Sequence, residues 1–138
     1  FNWLNKFLKP NKLNDYDSSD DTNIFWNAVD TIRDFPLVVF TKKGLMLSKI
    51  FKKNVRNKVY IFTDTIKTKI ISNFYNNATC LLTKKFDNKN ISKFYYSYLK
   101  KYKNLIFKKN NKAFLITISF PKKGATANSL SLLNKKDI

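Results

Sequence analysis

Pro36-Leu37-Val38-Val39-Phe40-Thr41-Lys42-Lys43 and, further on, Lys58-Val59-Tyr60-Ile61-Phe62-Thr63-Asp64 are the stretches on which the fold of this chain turns. Leu37 to Thr41 is a short apolar run with Val38 and Val39 β-branched at its centre, and it reads as a buried strand. Lys58 to Phe62 reads as a second strand. Between them, Thr41 to Asn57 reads as a basic loop or loop-like excursion. On the amino-terminal side, Ile24, Phe25, Ala28, Val29 and Ile32 fall on one helical face, with Asp21 or Thr22 as the N-cap. That helix should stop near Asp34, because Pro36 disfavours helical geometry in the residue before it.

Working outward, Thr63 or Asp64 caps a helix in which Ile66, Ile70, Ile71, Phe74 and Tyr75 share a face. Leu81 to Thr83 is a brief strand. The segment from Phe94 to Phe107 fits either an amphipathic helix or a hairpin strand; extended structure is favoured for Leu105 to Phe107, with a turn through Lys108 to Asn111. Ala113 to Phe120 alternates cleanly and is the clearest strand. Pro121 to Gly124 breaks it, and a short helix from Thr126 to about Asn134 buries Leu130 and Leu133. Residues 1–14 are ambiguous: Phe1, Trp3, Leu4, Phe7 and Leu8 have helical spacing, and Pro10 ends the pattern. These elements predict an α+β fold, an antiparallel sheet with helices packed mainly on one face. Residues 1–21 read as an N-terminal extension or a reduced first strand, and 22–138 as one domain.

Charge narrows the partner. The chain carries 27 Lys and Arg against 9 Asp, a formal net charge of +18. Residues 1–36 hold six of the acids, so the 23 basic and 3 acidic residues after Pro36 leave +20. A compact fold gains nothing from such self-repulsion, whereas a polyanion offsets it, and nucleic acid is the usual one. Arginine occurs only at Arg33 and Arg56. Lysine meets phosphate as a mobile point charge, not as the rigid fork that reads bases, so backbone and shape recognition are expected. The abundance of Lys, Asn, Phe, Ile and Tyr is the composition of an A/T-rich genome and points to an organelle or an A/T-rich protist.

Catalysis is not expected. There is no histidine, the commonest general base and metal ligand, and Cys80 stands alone, which excludes a disulfide framework or a CxxC metal site. Asp20-Asp21 reads as a helix start and not a carboxylate dyad, and no glycine-rich phosphate loop occurs. No catalytic residue, metal site or cofactor is assigned. No apolar run approaches the roughly 20 residues needed to span a bilayer, and the acidic stretch from Asp15 to Asp21 argues against a cleavable signal.

Two groups of residues are candidates for polyanion contact. The first is Lys42, Lys43, Lys49, Lys52, Lys53 and Arg56, interleaved with Leu45, Met46, Leu47, Ile50 and Phe51. Six cations without an acid favour an excursion that presents charge and an apolar tip to folded RNA over a segment whose apolar residues simply enter the core. The second is Lys84, Lys85, Lys89, Lys93, Lys100, Lys101 and Lys103, among Phe94, Tyr95, Tyr96, Tyr98 and Tyr102. Exposed aromatics can stack bases while lysines follow phosphate, although any single tyrosine here is more readily explained as core.

The order of elements, with Pro36-Leu37-Val38, Thr41-Lys42, Lys49-Ile50, Lys58-Val59, Tyr96-Ser97, Leu105-Ile106-Phe107, Ile116-Thr117-Ile118 and Leu132-Leu133, resembles the large-subunit ribosomal protein L-five family. The resemblance covers roughly residues 22–135 and rests on order and spacing. It implies a structural protein of an organellar, mitochondrial large ribosomal subunit, with a plastid as the alternative. The implied partners are ribosomal RNA in the central protuberance (5S rRNA where present), transfer RNA at the peptidyl site against the 41–57 segment, and neighbouring ribosomal proteins including the small-subunit head. Two rivals stand beside it: another ribosomal protein or assembly factor, and a basic accessory subunit of an organellar membrane complex, its lysines against anionic lipid headgroups.

Overall fold

A computed structural model of the chain describes residues 18–42, 45–119 and 127–138. The expected helical spacing of 1–14 lies outside them. Helix α1 (Ser18–Thr31) leads into strand β1 (Leu37–Phe40), then α2 (Leu45–Lys52), β2 (Val59–Thr63), α3 (Ile66–Ser72) and β3 (Ala78–Leu82). A short 3-10 turn (Asn88–Asn90) opens α4 (Ile91–Lys101), followed by α5 (Lys103–Ile106), β4 (Lys112–Ser119), β5 (Ala127–Asn134) and a terminal 3-10 turn (Lys135–Asp137). The strands form one sheet in the order β3-β2-β1-β4-β5.

The α+β class stands, but the sheet is mostly parallel. β1 pairs in parallel with β2, from Leu37↔Val59 to Phe40↔Phe62, and with β4, from Leu37↔Phe114 to Val39↔Ile116. β2 pairs in parallel with β3, and only β4 and β5 run antiparallel. Nor do the helices keep to one face. One core joins Phe25, Trp26 and Val29 of α1, Leu47 and Ile50 of α2, and the Leu37, Val39, Val59, Ile61, Phe114 and Ile116 side of the sheet. The other joins Tyr95 and Leu99 of α4, Ile106 of α5 and Phe107 to the Val38, Phe40, Tyr60 and Phe62 side. The physical reason lies in the strands themselves: every residue of β1 and β2 is buried. Uninterrupted apolar strands need cover on both faces, which is the condition of a parallel sheet.

Aromatic packing closes the second core. Phe40 stacks on Phe62 with ring centroids 4.7 Å apart, and Tyr95 lies 4.5 Å from Phe40.

Several local expectations are corrected. Asp21 and Thr22 lie inside α1, which begins at Ser18. The 41–57 segment is not a loop: it holds α2, the crossover that two adjacent parallel strands require. Leu105 and Ile106 are helical, with Tyr102 N–H donating into the α4 turn at Tyr98 O (3.1 Å) and Phe107 N–H reaching Lys103 O (3.0 Å). Lys108 to Asn111 therefore joins a helix to β4 and is no hairpin turn. The expected terminal helix is strand β5, paired with β4 from Lys112↔Asn134 to Ser119↔Ala127.

Candidate functional site

The carboxyl ends of β1, β2 and β3 open onto one edge of the sheet, and a polar network occupies it. Thr41 N–H donates to Phe62 O (3.0 Å) and Thr83 N–H to Thr63 O (2.8 Å), which carries the ladder one residue past each strand. Lys42 follows β1. Its carbonyl would be left without a partner, and the Thr68 hydroxyl of α3 donates to it at 2.8 Å. Thr65 Oγ1 stands 3.0 Å from the same carbonyl and 2.8 Å from Thr68 Oγ1, and it caps α3 by accepting from Thr68 N–H.

Asp64 is the centre of the charged part. Its side chain is 7% exposed, and Oδ2 accepts from Phe86 N–H at 2.9 Å. The same oxygen lies 3.9 Å from Lys42 Nζ, whose ammonium also sits 5.5 Å from the centroid of the Phe86 ring. Lys42 is thus held in place at the end of β1 while remaining partly exposed. Lys84 and Lys85 follow β3 on the same edge; Lys84 N–H donates to the Tyr98 hydroxyl at 2.9 Å.

The first group of candidate residues does not form one patch. Lys42 is on the carboxyl edge, and α2, about 12 Å long at 1.5 Å rise per residue, runs back across the sheet, so Lys52, Lys53 and Arg56 lie toward the opposite edge. Lys49 and Lys52 occupy the last turn of α2, where cations complement the carbonyl end of the helix. Lys53 lies 5.5 Å over the Trp26 ring. Arg56 is exposed, and Lys43 is outside the described residues. Three of the apolar residues are not a presented tip: Leu47 and Ile50 are buried, and Phe51 stacks on Tyr75 at 3.5 Å. The helix ends through Asn54 at φ 54°, a left-handed cap that asparagine tolerates.

The second group also divides. Lys84 and Lys85 belong to the carboxyl edge, Lys89, Lys93, Lys100 and Lys101 are exposed along the 3-10 turn and α4, and Lys103 is half-buried on α5. The aromatics among them are mainly core. Tyr95 is buried, Phe94, Tyr98 and Tyr102 pack against that core, and Tyr96 is the exposed ring of the set, with Lys100 Nζ 6.0 Å from its centroid.

The sequence carries a repeated motif. Phe40-Thr41-Lys42-Lys43-Gly44 and Phe120-Pro121-Lys122-Lys123-Gly124 are the same Phe-X-Lys-Lys-Gly motif. The first follows β1 and the second follows β4, its neighbour in the parallel sheet. Residues 120–126 are outside the described residues, so this is a statement of chain order alone.

No family model matches the chain, and no curated protein matches it in sequence. Among solved structures it is similar to Cryptosporidium parvum pyruvate kinase in complex with ADP, at a TM-score of 0.56 and 9% identity. The match covers 96% of this chain and 27% of that one, so the whole chain has the fold of about a quarter of the larger protein. At this identity the likeness is one of fold. Among the described residues, no helix is long and apolar enough to cross a membrane.

Proposed function

We propose that this chain is a binding domain for a phosphorylated ligand, which it takes at the carboxyl edge of its parallel sheet, beside Lys42. The observation that carries the reading is the reversal of strand order at β1: β2 and β3 lie to one side of it and β4 to the other. In open α/β sheets the connections on the two sides of such a point diverge and leave a crevice outside the carboxyl ends of the strands, where ligands bind. Here that point carries Lys42, with Lys84 and Lys85 on the same edge, and the chain places a Lys-Lys-Gly after both flanking strands. The likeness to the solved pyruvate kinase is one of fold and leaves the ligand to be argued from these residues. We read the role of this edge as binding. Asp64, the buried carboxylate of this edge, accepts from Phe86 N–H and faces Lys42.

A second reading is the ribosomal one that the family resemblance implies, with ribosomal and transfer RNA as partners in an organellar large subunit. The exposed lysines from Lys89 to Lys101 favour it, because they lie off the carboxyl edge and one small ligand would leave them unused. Against it, two of the motifs on which the resemblance rests fall on other elements: Leu105-Ile106 on a helix and Leu132-Leu133 on a strand.

Titration of the full chain with inorganic pyrophosphate, and separately with an RNA hairpin, distinguishes the two. Saturable pyrophosphate binding that Lys42→Ala weakens at least tenfold supports the first reading. Pyrophosphate binding that is absent, alongside tight RNA binding falling steeply with salt as counterions are released, overturns it in favour of the second.

A further inference from the structure

The edge opposite Lys42 carries a second cationic feature, built from different residues. There β4 begins and β5 ends side by side, with Lys112 in register with Asn134. A cavity of about 480 Å³ opens at this corner, lined by Lys103, Asn111, Lys112, Asn134, Lys135 and Lys136. That volume is in the range of small-molecule sites.

The lining is fixed by the fold. Lys135 N–H donates to Asn111 O at 2.8 Å, which ties the end of β5 to the start of β4. Lys103 Nζ donates to Ile138 O at 3.0 Å, which holds the α5 wall against the terminal turn. Lys103, Lys112 and Lys135 are each half-buried. Among the described residues the ion pairs are Arg33 with Asp30 and Lys42 with Asp64, so none of these lysines has a carboxylate side chain within 4.0 Å. Asp137, which follows Lys136 in the chain, is exposed and is not part of the lining.

Four lysines line one concavity, the Lys103 ammonium being held by Ile138 O, and their like charges repel one another. That repulsion is relieved by an anion placed between them. The lining has no aromatic ring, so it offers no platform for a base, whereas the two asparagine amides can bond phosphate oxygens or hydroxyls. We propose that this cavity is a second anion site, for a small non-aromatic ligand carrying two or more phosphate groups. It is separate from the carboxyl edge, and the two stand or fall independently.

The test is nuclear magnetic resonance of the isotope-labelled full chain titrated with inorganic tripolyphosphate, with sodium sulfate at matched ionic strength as the reference. Saturable shifts at the Asn111, Lys112, Asn134 and Lys135 amides are expected, reduced at least tenfold in affinity by Lys112→Ala combined with Lys135→Ala. Resonances of Thr41, Asp64 and Lys84 report the carboxyl edge in the same spectra and show whether the variant is folded. Lys136→Ala, at an exposed position, gives the same comparison should the double variant not fold. Absence of shifts at the corner, equal shifts with sulfate, or shifts unchanged by these substitutions overturns the proposal. So does an RNA oligonucleotide that moves the same amides at lower concentration than tripolyphosphate.

Discussion

Asn77 donates its side-chain amide to the backbone carbonyl of Asn57 at 2.9 Å, and Asn57 in turn donates its own to Ile32 O and Phe35 O at 3.0 and 2.8 Å. Asn77 also reaches Val55 O at 2.9 Å. Two side chains thereby bind together the three connections that enter β1, β2 and β3, at the end of the sheet remote from Lys42. Asn57 is 1% exposed, and its removal takes a donor from Phe35 O and from Ile32 O, the latter keeping Phe35 N–H at 3.3 Å. Asn57→Ala is expected to cost about 1–3 kcal/mol by urea unfolding, the range for a buried group left unpaired. Asn77→Ala, at a half-buried site, should cost less. Equal and negligible effects would show that the latch does not hold these connections.

A second expectation follows from the reversed face of α3. Ile66, Ile70 and Phe74 are 64%, 56% and 79% exposed, while Thr68 and Ser72 are buried. Phe74→Ser should therefore change stability by no more than about 0.5 kcal/mol, as at other exposed positions. Thr68→Val, nearly the same shape, removes one donor from Lys42 O, leaves it the Thr65 hydroxyl at 3.0 Å, and should cost about 1 kcal/mol. Thermal unfolding of the two variants decides it; the reverse order would mean that the apolar face of α3 is the buried one.

That face explains where sequence reasoning stopped. The periodicity of Ile66, Ile70, Ile71 and Phe74 is real, but it describes only which residues share a side. Which side turns inward is set by the carbonyl of Lys42, distant in sequence, which needs a hydroxyl and gets it from Thr68. The positions of β1, β2 and β4 were legible because Leu37–Phe40, Val59–Thr63 and Lys112–Ser119 are dense in β-branched and aromatic residues. Their direction is legible too, in the absence of any polar break in Leu37–Phe40. Leu130 and Leu132–Leu133 misled for a different reason: a short apolar segment has no helical or strand preference of its own until β4 offers it a partner. At the site, the charge excess and Lys42 were visible, whereas the separation of Lys42 from Lys53 and Arg56 appears only once α2 spans the distance between them.

Asp64 links the carboxyl edge to stability and to binding in opposite senses. Asp64→Ala removes the acceptor of Phe86 N–H and the counter-charge of Lys42, and should cost about 1–3 kcal/mol. Asp64→Asn keeps an acceptor and should cost less. If the phosphate reading of this edge is right, both variants bind pyrophosphate severalfold more tightly than the parent chain, because a negative charge beside the anion has gone. Unaltered or weaker binding in the folded Asp64→Asn variant would place the anion away from Lys42.

Alkaline pH should weaken the fold through two buried acids. Burial pushes the Cys80 thiol up, with a Ser72 hydrogen bond and the charge of Lys69 only partly opposing it, and burial also raises the Tyr60 phenol. In each case the unfolded chain loses its proton first as pH rises, so over that window it binds fewer protons than the native chain and stability falls with pH. The contribution is fully present below the ordinary thiol and phenol values, about 8.5 and 10, and is lost as pH climbs through the raised ones. Melting temperature followed from pH 7 upward should decline in two stages. Cys80→Ala should remove the earlier stage and Tyr60→Phe the later, each measured as the difference from the parent chain so that the lysines common to all three cancel. Cys80 should correspondingly alkylate slowly at neutral pH, since little thiolate is present. Superimposable pH profiles for the parent and Cys80→Ala would mean that the thiol meets the same environment folded and unfolded, and that β3 does not pack as described.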